Sequence, residues 1–175
     1  MNLTTEQVKQ LIEVYPFLLP RNVWTGEVVD DFKYDYVDGL WCVPEGWSRL
    51  FLLFCKDIKP LLGDKLNTFR FSEVKEKYGR LCLYNFGATE AAHTLIRMYE
   101  TYSMNVCEYC GKIATYRSRG WITSVCEDCH SKYPYETTRW KQCKFSSYCT
   151  YSKEGKFEYS VSNSLKNIDK QYSMQ

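Results

Sequence analysis

Apolar residues recur at helical spacing in two stretches of the N-terminal half of the chain. The first stretch follows Thr4, whose hydroxyl can cap a helix while the side chain of Gln7 completes a capping box, and Pro16 ends it. In the second stretch, residues 44–62, apolar side chains three and four positions apart predict a mostly buried helix. Gly63 is a natural stop for that helix, because glycine accepts the left-handed conformation that closes many helices.

The spacing changes in residues 68–86, where apolar and polar positions approach alternation. A slip near Ser72 predicts a β-bulge, and Tyr78-Gly79 between the two runs predicts the turn of a β-hairpin. Helical spacing returns from Glu90 to about Ser103, after a capping residue at Thr89. Two further segments carry weaker signals. The acidic residues 27–39 are interpreted as a surface connection that can contain a short strand, and alternation in residues 144–162 predicts a second hairpin.

The most specific chemical motif is a set of four cysteines. Cys107 and Cys110 form one Cys-x-x-Cys pair, and Cys126 and Cys129 form a second pair after a gap of fifteen residues. Two such pairs can surround one Zn²⁺ tetrahedrally, with Zn–S bonds of about 2.3 Å. Because protein sulfurs then fill all four positions, no water can bind to the metal and be activated. The zinc is therefore predicted to be structural.

The residues around these pairs fit a zinc ribbon. Gly111 can adopt the positive φ that the chain needs after Cys110 if backbone amides are to point at the sulfur. Residues 113–125 are long enough for a hairpin, with Gly120-Trp121 at its bend, and His130 is surplus to the four ligands. A module this small needs its metal to fold, so the zinc is predicted to contribute directly to stability.

These patterns together predict an α+β fold. It comprises three helices and a central β-hairpin, with a four-cysteine zinc ribbon packed against the third helix and a C-terminal β-hairpin extension. The predicted division is residues 1–104 for the α+β core, 105–130 for the zinc ribbon and 131–175 for the extension with its frayed tail.

Composition narrows the class of protein. The chain has nine cysteines in 175 residues, an odd number, and its N-terminus lacks a basic segment followed by an apolar run. The longest apolar run, Leu50 to Cys55, is too short to span a bilayer. A protein of the reducing cytoplasm is therefore expected rather than a secreted, disulfide-linked one. A net charge of +2 does not require a basic face for duplex DNA, but it leaves room for a local basic patch.

Candidates for catalysis are few. Cys55 or Cys82 as nucleophile with His93 as base is the best arrangement available, but no nucleophile signature surrounds either cysteine. A surface or core histidine is favoured, and no catalytic residue is predicted. Five cysteines lack ligand spacing and are interpreted as small buried side chains: Cys42, Cys55, Cys82, Cys143 and Cys149.

Two basic groups with aromatic neighbours are candidates for contacts with nucleic acid or with a protein partner. At the tip of the predicted hairpin lie Lys75, Lys77 and Arg80. On the predicted ribbon lie Lys112, Arg117, Arg119 and Trp121. Solvated hairpins are the favoured interpretation at this net charge. A nucleotide pocket lined by tyrosine and tryptophan with Arg21 or Arg80 is a further alternative. The aspartates of residues 30–38 could bind a hard cation, although a solvated loop is the default there.

Short motifs rich in proline, glycine and aromatic residues occur throughout residues 12–130: Tyr15-Pro16-Phe17, Pro20-Arg21-Asn22, Trp24-Thr25-Gly26, Tyr34-Asp35-Tyr36, Pro44-Glu45-Gly46-Trp47 and Val74-Lys75-Glu76-Lys77-Tyr78-Gly79. Together with the two Cys-x-x-Cys pairs, they resemble a group of uncharacterised bacteriophage and prophage proteins. The resemblance carries over the zinc ligands alone as functional residues, and it implies a phage origin and expression inside a bacterial host. It implies no reaction. Proteins of this group usually end soon after the second cysteine pair, so residues 131–175 are interpreted as an addition.

The leading functional hypothesis is a phage-encoded, non-enzymatic binding protein. It would engage and inhibit a host protein, such as a component of antiviral defence, because the aromatic residues suit interface anchors and catalytic signatures are lacking. The alternatives are a nucleic-acid-binding regulator that uses the zinc ribbon, whose binding would weaken steeply with salt, and a protein that sequesters a nucleotide signal.

Overall fold

The computed structural model of the protein describes residues 4–22, 24–29, 41–118, 121–132, 140–142, 149–151 and 157–159, with the backbone alone at 41–42 and after 132. The first helix, α1, spans Thr5–Val14. The Thr4 hydroxyl accepts a hydrogen bond from the Gln7 amide, and the Gln7 side chain accepts one from the Thr4 amide at 2.9 Å. The predicted capping box is confirmed.

Two longer helices supply much of the core. After a 3₁₀ turn at Glu45–Trp47 comes α2 (Ser48–Leu62), which ends at Gly63 with a φ of 53°. The third helix, α3, spans Glu90–Ser103 and is capped by Thr89, as predicted. Both helices bury large side chains in one apolar cluster that also includes residues of the neighbouring strands; its largest fully buried members include Trp47, Phe51, Phe54, Phe69 and Tyr99.

The predicted hairpin forms the middle of the fold. Strand β2 (Arg70–Lys77) pairs antiparallel with β3 (Arg80–Phe86), and the register shifts between Phe71 and Glu73, which confirms the bulge near Ser72. A two-residue strand, β1 (Trp41–Cys42), pairs in parallel with β2, so the strand order of the sheet is β1-β2-β3. Sequence alternation cannot reveal β1, because two residues have no period.

Side chains of α3 cover the outer edge of β3. The Leu81 amide donates to the hydroxyl of Ser103 at 2.8 Å, and the Leu83 amide donates to the carboxylate of Glu100 at 2.8 Å. These donors would otherwise be free to pair with a strand of another molecule. The same face of α3 therefore accepts hydrogen bonds from the edge strand and packs against the sheet.

Replacing Ser103 by alanine should destabilise the fold by about 1–3 kcal/mol. The Ser103 side chain is fully buried, and its loss leaves the Leu81 amide buried without an acceptor. Urea denaturation would measure the free energy of unfolding, with Thr101→Ala as control, because the Thr101 hydroxyl bonds to its own helix at an exposed position. Equal stability of the two variants would contradict this account of the sheet edge.

Two small antiparallel sheets follow α3. Strand β4 (Tyr116–Ser118) pairs with both β5 (Ser124–Val125) and β6 (Trp140–Gln142), and the β4–β5 pair confirms the hairpin predicted within residues 113–125. Strands β7 (Cys149–Tyr151) and β8 (Phe157–Tyr159) pair antiparallel as the second predicted hairpin requires. The turn between β7 and β8 and most of the acidic segment 27–39 lie outside the described residues.

The number of helices differs from the prediction. A fourth helix, α4 (Glu127–Lys132), begins between Cys126 and Cys129, where only three helices were expected along the whole chain. Six residues are too few to show helical periodicity, although the acidic Glu127 and Asp128 in the first turn suit the positive end of a helix dipole. Within the described part of the chain, no helix is both long and apolar enough to cross a membrane.

Candidate metal centre and hairpin tip

The four predicted ligands meet in one place. The sulfur atoms of Cys107, Cys110, Cys126 and Cys129 all lie within 4.8 Å of one another, and three of the four residues are buried. A tetrahedral site with metal–sulfur bonds of about 2.3 Å needs sulfurs about 3.8 Å apart, so the cluster has the right size for one ion. Residues 105–132, which carry this cluster, are called the Cys module below.

Backbone geometry prepares the cluster for thiolates. Gly111 has a φ of 75°, as predicted for the turn after Cys110, and its amide donates to the Cys107 carbonyl at 3.0 Å. The Cys129 amide points at the sulfur of Cys126 at 3.5 Å. Such amide donors disperse the negative charge that four thiolates would place around one cation. The donor set therefore fits a soft divalent metal.

Burial controls the protonation of the metal-free cluster. It raises the pKa of Cys107 to about 11, although backbone amides oppose the shift, and it also raises the pKa of Cys129. Burial acts on Cys110 in the same direction, but the backbone amide of Lys112 and the neighbouring cysteine side chains outweigh it, so the pKa of Cys110 is lowered. Metal binding must therefore displace protons from Cys107 and Cys129.

The Cys module packs against the turn before α2 through a close contact between Gly46 and Gly111. A Cβ atom on Gly46 would lie 2.0 Å from the carbonyl oxygen of Cys107 and 2.7 Å from the amide nitrogen of Gly111. Only a residue without a side chain permits this approach of two backbones. The Gly46 amide also donates to the carbonyl of Glu108 at 2.8 Å.

Trp47 reinforces the same junction from inside the core. Its ring is fully buried, and its indole N–H donates to the carbonyl of Val106 at 2.8 Å. The Cys module thus contacts the 3₁₀ turn Glu45–Trp47, a packing partner additional to the third helix that the sequence predicts. The sequence separates Trp47 from Val106 by 59 positions, so no local pattern could have shown the pairing.

A second contact joins the Cys module to the turn of the β2–β3 hairpin. The guanidinium of Arg117 donates to the Tyr78 carbonyl at 2.6 Å, and the Ser124 hydroxyl donates to the Gly79 carbonyl at 3.3 Å. Ile122 packs so close to Gly79 that a Cβ there would lie 2.9 Å from its methyl group. The module and the hairpin turn therefore meet at one surface, called the hairpin tip below.

The hairpin tip contains a pocket of about 230 Å³ lined by Glu76, Lys77, Tyr78, Trp121 and Ile122. Two of these are aromatic residues that are largely exposed, Tyr78 at 66% and Trp121 at 82%. The pocket thus combines residues from both basic–aromatic groups of the sequence, and its two aromatic residues lie 43 positions apart in the chain.

Tyr78 occupies a conformation that suits asparagine or glycine better. Its φ is 56°, and with Gly79 at 69° it forms a turn with two positive φ values, for which Asn-Gly is the preferred sequence. We expect Tyr78→Asn to stabilise the fold by about 1 kcal/mol, because asparagine tolerates this region better. Urea denaturation measures the change, and Lys77→Asn at the preceding strand position is the control. A loss of stability in Tyr78→Asn would show that its ring is needed for folding.

The remaining basic residues predicted as binding sites contact different partners within the protein. The ammonium of Lys112 forms a 2.6 Å ion pair with Asp128, which links the two cysteine loops at the surface, and Arg119 lies outside the described residues. Lys75 forms a 2.7 Å ion pair with Glu73. The guanidinium of Arg80 approaches the Cys82 sulfur at 3.9 Å. Among the described residues of the module, Lys112 and Arg117 therefore have separate partners and do not form one anion site.

The structure does not bring the alternative catalytic residues together, and Arg21 is engaged within its own loop. His93 is exposed on α3, whereas Cys55 is fully buried and burial raises its pKa far above the usual value. Among the described residues, the His93 side chain makes no hydrogen bond to Cys55 or Cys82. Arg21 donates to the carbonyl of Gly26 within its own loop, away from the hairpin tip. Cys55 and Cys82 are buried as predicted, while the side chains of Cys42, Cys143 and Cys149 are outside the described residues.

No protein-family model matches the chain, and no significant match to it was found among the curated proteins or the solved structures.

Proposed function

We propose that this is a non-enzymatic binding protein of phage origin whose four cysteines hold a structural Zn²⁺ and whose hairpin tip contacts and inhibits a host protein, such as a component of antiviral defence. The phage origin rests on the resemblance of its motifs. The binding role rests on one observation, the pocket between the exposed rings of Tyr78 and Trp121.

The residue types at this pocket are those that anchor protein interfaces. Tyrosine and tryptophan carry large apolar area with few rotatable bonds, and such residues dominate the binding free energy of many interfaces. Tyr78 also keeps its ring exposed in a backbone conformation that costs stability. Strain of this kind is retained where the side chain has a use outside the fold.

The metal supports this function indirectly. Trp121 and Ile122 lie in the segment between the two cysteine pairs, and Arg117 and Ser124 tie that segment to the hairpin turn. Four sulfur ligands leave no position for water, so the ion can hold the module in place without chemistry of its own. Zinc is proposed over other thiolate-binding metals because Cys-x-x-Cys pairs at this spacing are typical of structural zinc sites.

Affinity capture with matched baits tests the proposed function. The wild-type protein should retain a host protein from bacterial lysate in stoichiometric amount, and Trp121→Ser should weaken that binding at least tenfold when measured with the purified partner, since an anchor residue contributes about 2 kcal/mol or more. The matched control is Trp24→Ser, because Trp24 is equally exposed, at 85%, but lies on a different loop.

Two outcomes would contradict the proposal. One is equal binding of the partner by the wild type and Trp121→Ser, which would move the interface away from the hairpin tip. The other is the absence of any stoichiometric partner together with turnover of a substrate by the purified protein, which would make it an enzyme.

A further inference from the structure

The solvent side of the β2–β3 hairpin carries a chemically distinct set of residues. Residues directly opposite each other in an antiparallel pair project from the same face of the sheet. Val74 and Leu83 are such a pair, and both are buried in the core. Four pairs project from the opposite side, called the outer face below, and all of their residues except the buried Cys82 are exposed or half-buried: Arg70 with Phe86, Glu73 with Tyr84, Lys75 with Cys82, and Lys77 with Arg80.

The outer face is strongly basic for this protein. It carries the cations Arg70, Lys75, Lys77 and Arg80 and one carboxylate, that of Glu73. Its local excess of positive charge is therefore larger than the net charge of +2 of the entire chain. A concentration of one sign on one face attracts polyanions, whatever the total charge of the molecule.

The same face displays two aromatic rings in a row. Tyr84 and Phe86 alternate along β3, so their side chains stand about 7 Å apart, and they are 43% and 41% exposed. The Lys75 ammonium lies 5.6 Å from the centre of the Tyr84 ring, and the Arg70 guanidinium lies 5.4 Å from that of Phe86. Each ring thus has a cation beside it and a large exposed surface.

We propose that the outer face of the hairpin binds single-stranded nucleic acid, with Tyr84 and Phe86 stacking on bases and the neighbouring cations contacting phosphates. Rows of aromatic rings beside cations are the common solution for binding single strands without sequence preference. A duplex keeps its bases stacked on one another and offers these rings nothing to stack on. An acidic protein segment would use the cations and leave the rings without a planar partner.

This surface differs from the pocket at the hairpin tip and does not depend on the proposed function. The two are separable by mutation, because Trp121 belongs to the pocket alone, and Tyr84 and Phe86 belong to the outer face alone. Loss of either activity would leave the other measurable in the same purified protein.

Fluorescence anisotropy with 20-nucleotide oligo(dT) and oligo(rU) tests the proposal and compares DNA with RNA. Contacts with three or four phosphates should weaken binding by roughly 20- to 50-fold between 50 and 200 mM salt. The double variant Tyr84→Thr/Phe86→Thr keeps residues that favour strands and should weaken binding at least about fivefold for each ring lost. Trp24→Ser serves as the control, because it removes an even more exposed ring on a different loop.

A variant with increased affinity for oligonucleotides is informative because a loss of folding cannot produce such an increase. Glu73 is the one acid among the four outer-face pairs and forms a 2.7 Å ion pair with Lys75. Glu73→Gln should tighten oligonucleotide binding by about 2- to 5-fold, because it removes the repulsion of phosphates and releases Lys75. A purely structural role for this face predicts no gain.

The proposal fails if neither oligonucleotide binds at 50 mM salt. It also fails if the double variant, shown by circular dichroism to be folded, binds as tightly as the wild type, or if Glu73→Gln weakens binding. Should the double variant not fold, Lys75→Gln is the substitute, because Lys75 does not line the pocket at the hairpin tip. Its expected effect is a decrease of about 0.7 in the salt slope for one lost phosphate contact.

Discussion

Cys107→Ser should abolish metal binding and lower the melting temperature by more than about 10 °C. The wild-type protein is expected to carry one equivalent of zinc, and structural zinc sites contribute on the order of 10 kcal/mol of binding free energy that is available only to the folded chain. A loss of even part of that energy is large, because each kcal/mol shifts the melting temperature by roughly 2–4 °C in a chain of this size. Elemental analysis and differential scanning calorimetry measure the two effects.

Chelation provides the internal check on this result. A strong zinc chelator should lower the melting temperature of the wild type to that of Cys107→Ser and should leave the variant unchanged. Cys82→Ala, at a cysteine outside the cluster, should keep the full metal content. A coloured protein with iron in place of zinc would correct the identity of the metal, because four thiolates also hold iron. Wild-type protein without metal would contradict the centre itself.

Gly46→Ala should destabilise the fold by about 3 kcal/mol or more. The new methyl group would lie 2.0 Å from the Cys107 oxygen and 2.7 Å from the Glu108 carbonyl carbon. Both are backbone atoms, so a side-chain rotation cannot relieve the overlap, and the two segments must move apart. That movement also strains the hydrogen bond between Trp47 and Val106.

Amide hydrogen exchange shows which part of the fold Gly46→Ala destabilises. In Gly46→Ala, amides of residues 105–118 should exchange faster, while those of α3 should change little. Glu45→Ala is the matched control, because Glu45 is exposed and precedes the glycine directly. A stability of Gly46→Ala within about 0.5 kcal/mol of the wild type would contradict the close packing of the two glycines.

The elements that could be predicted are those with local causes. The capping box at Thr4, the stop at Gly63 and the cap at Thr89 act within a few residues, and the structure contains all three. The bulge in β2 was also visible, because it interrupts an otherwise regular alternation. In the same way, the spacing of the cysteines was enough to predict that their sulfurs would meet.

The features that the sequence does not reveal have non-local causes. Nothing near Gly46 indicates that its backbone will face Gly111, and nothing near Tyr78 indicates that Trp121 will share a pocket with it. The sequence alone therefore presents the two basic–aromatic groups as separate hairpins. It does not reveal the aromatic row of the outer face either, because Tyr84 and Phe86 look like ordinary strand residues until the register places cations beside them.

The close contact between Gly46 and the backbone of the Cys module affects how the chain folds during its synthesis on the ribosome. Gly46 and Trp47 emerge early, but their partners at residues 106–111 and the last cysteine at position 129 follow much later. At about 5–20 residues per second, the 83 residues between positions 46 and 129 take roughly 4 to 17 s to translate. During that interval the nascent chain exposes an unpartnered indole and an open apolar surface. We therefore expect chaperones to hold the chain until the final cysteine has emerged and the ion is captured.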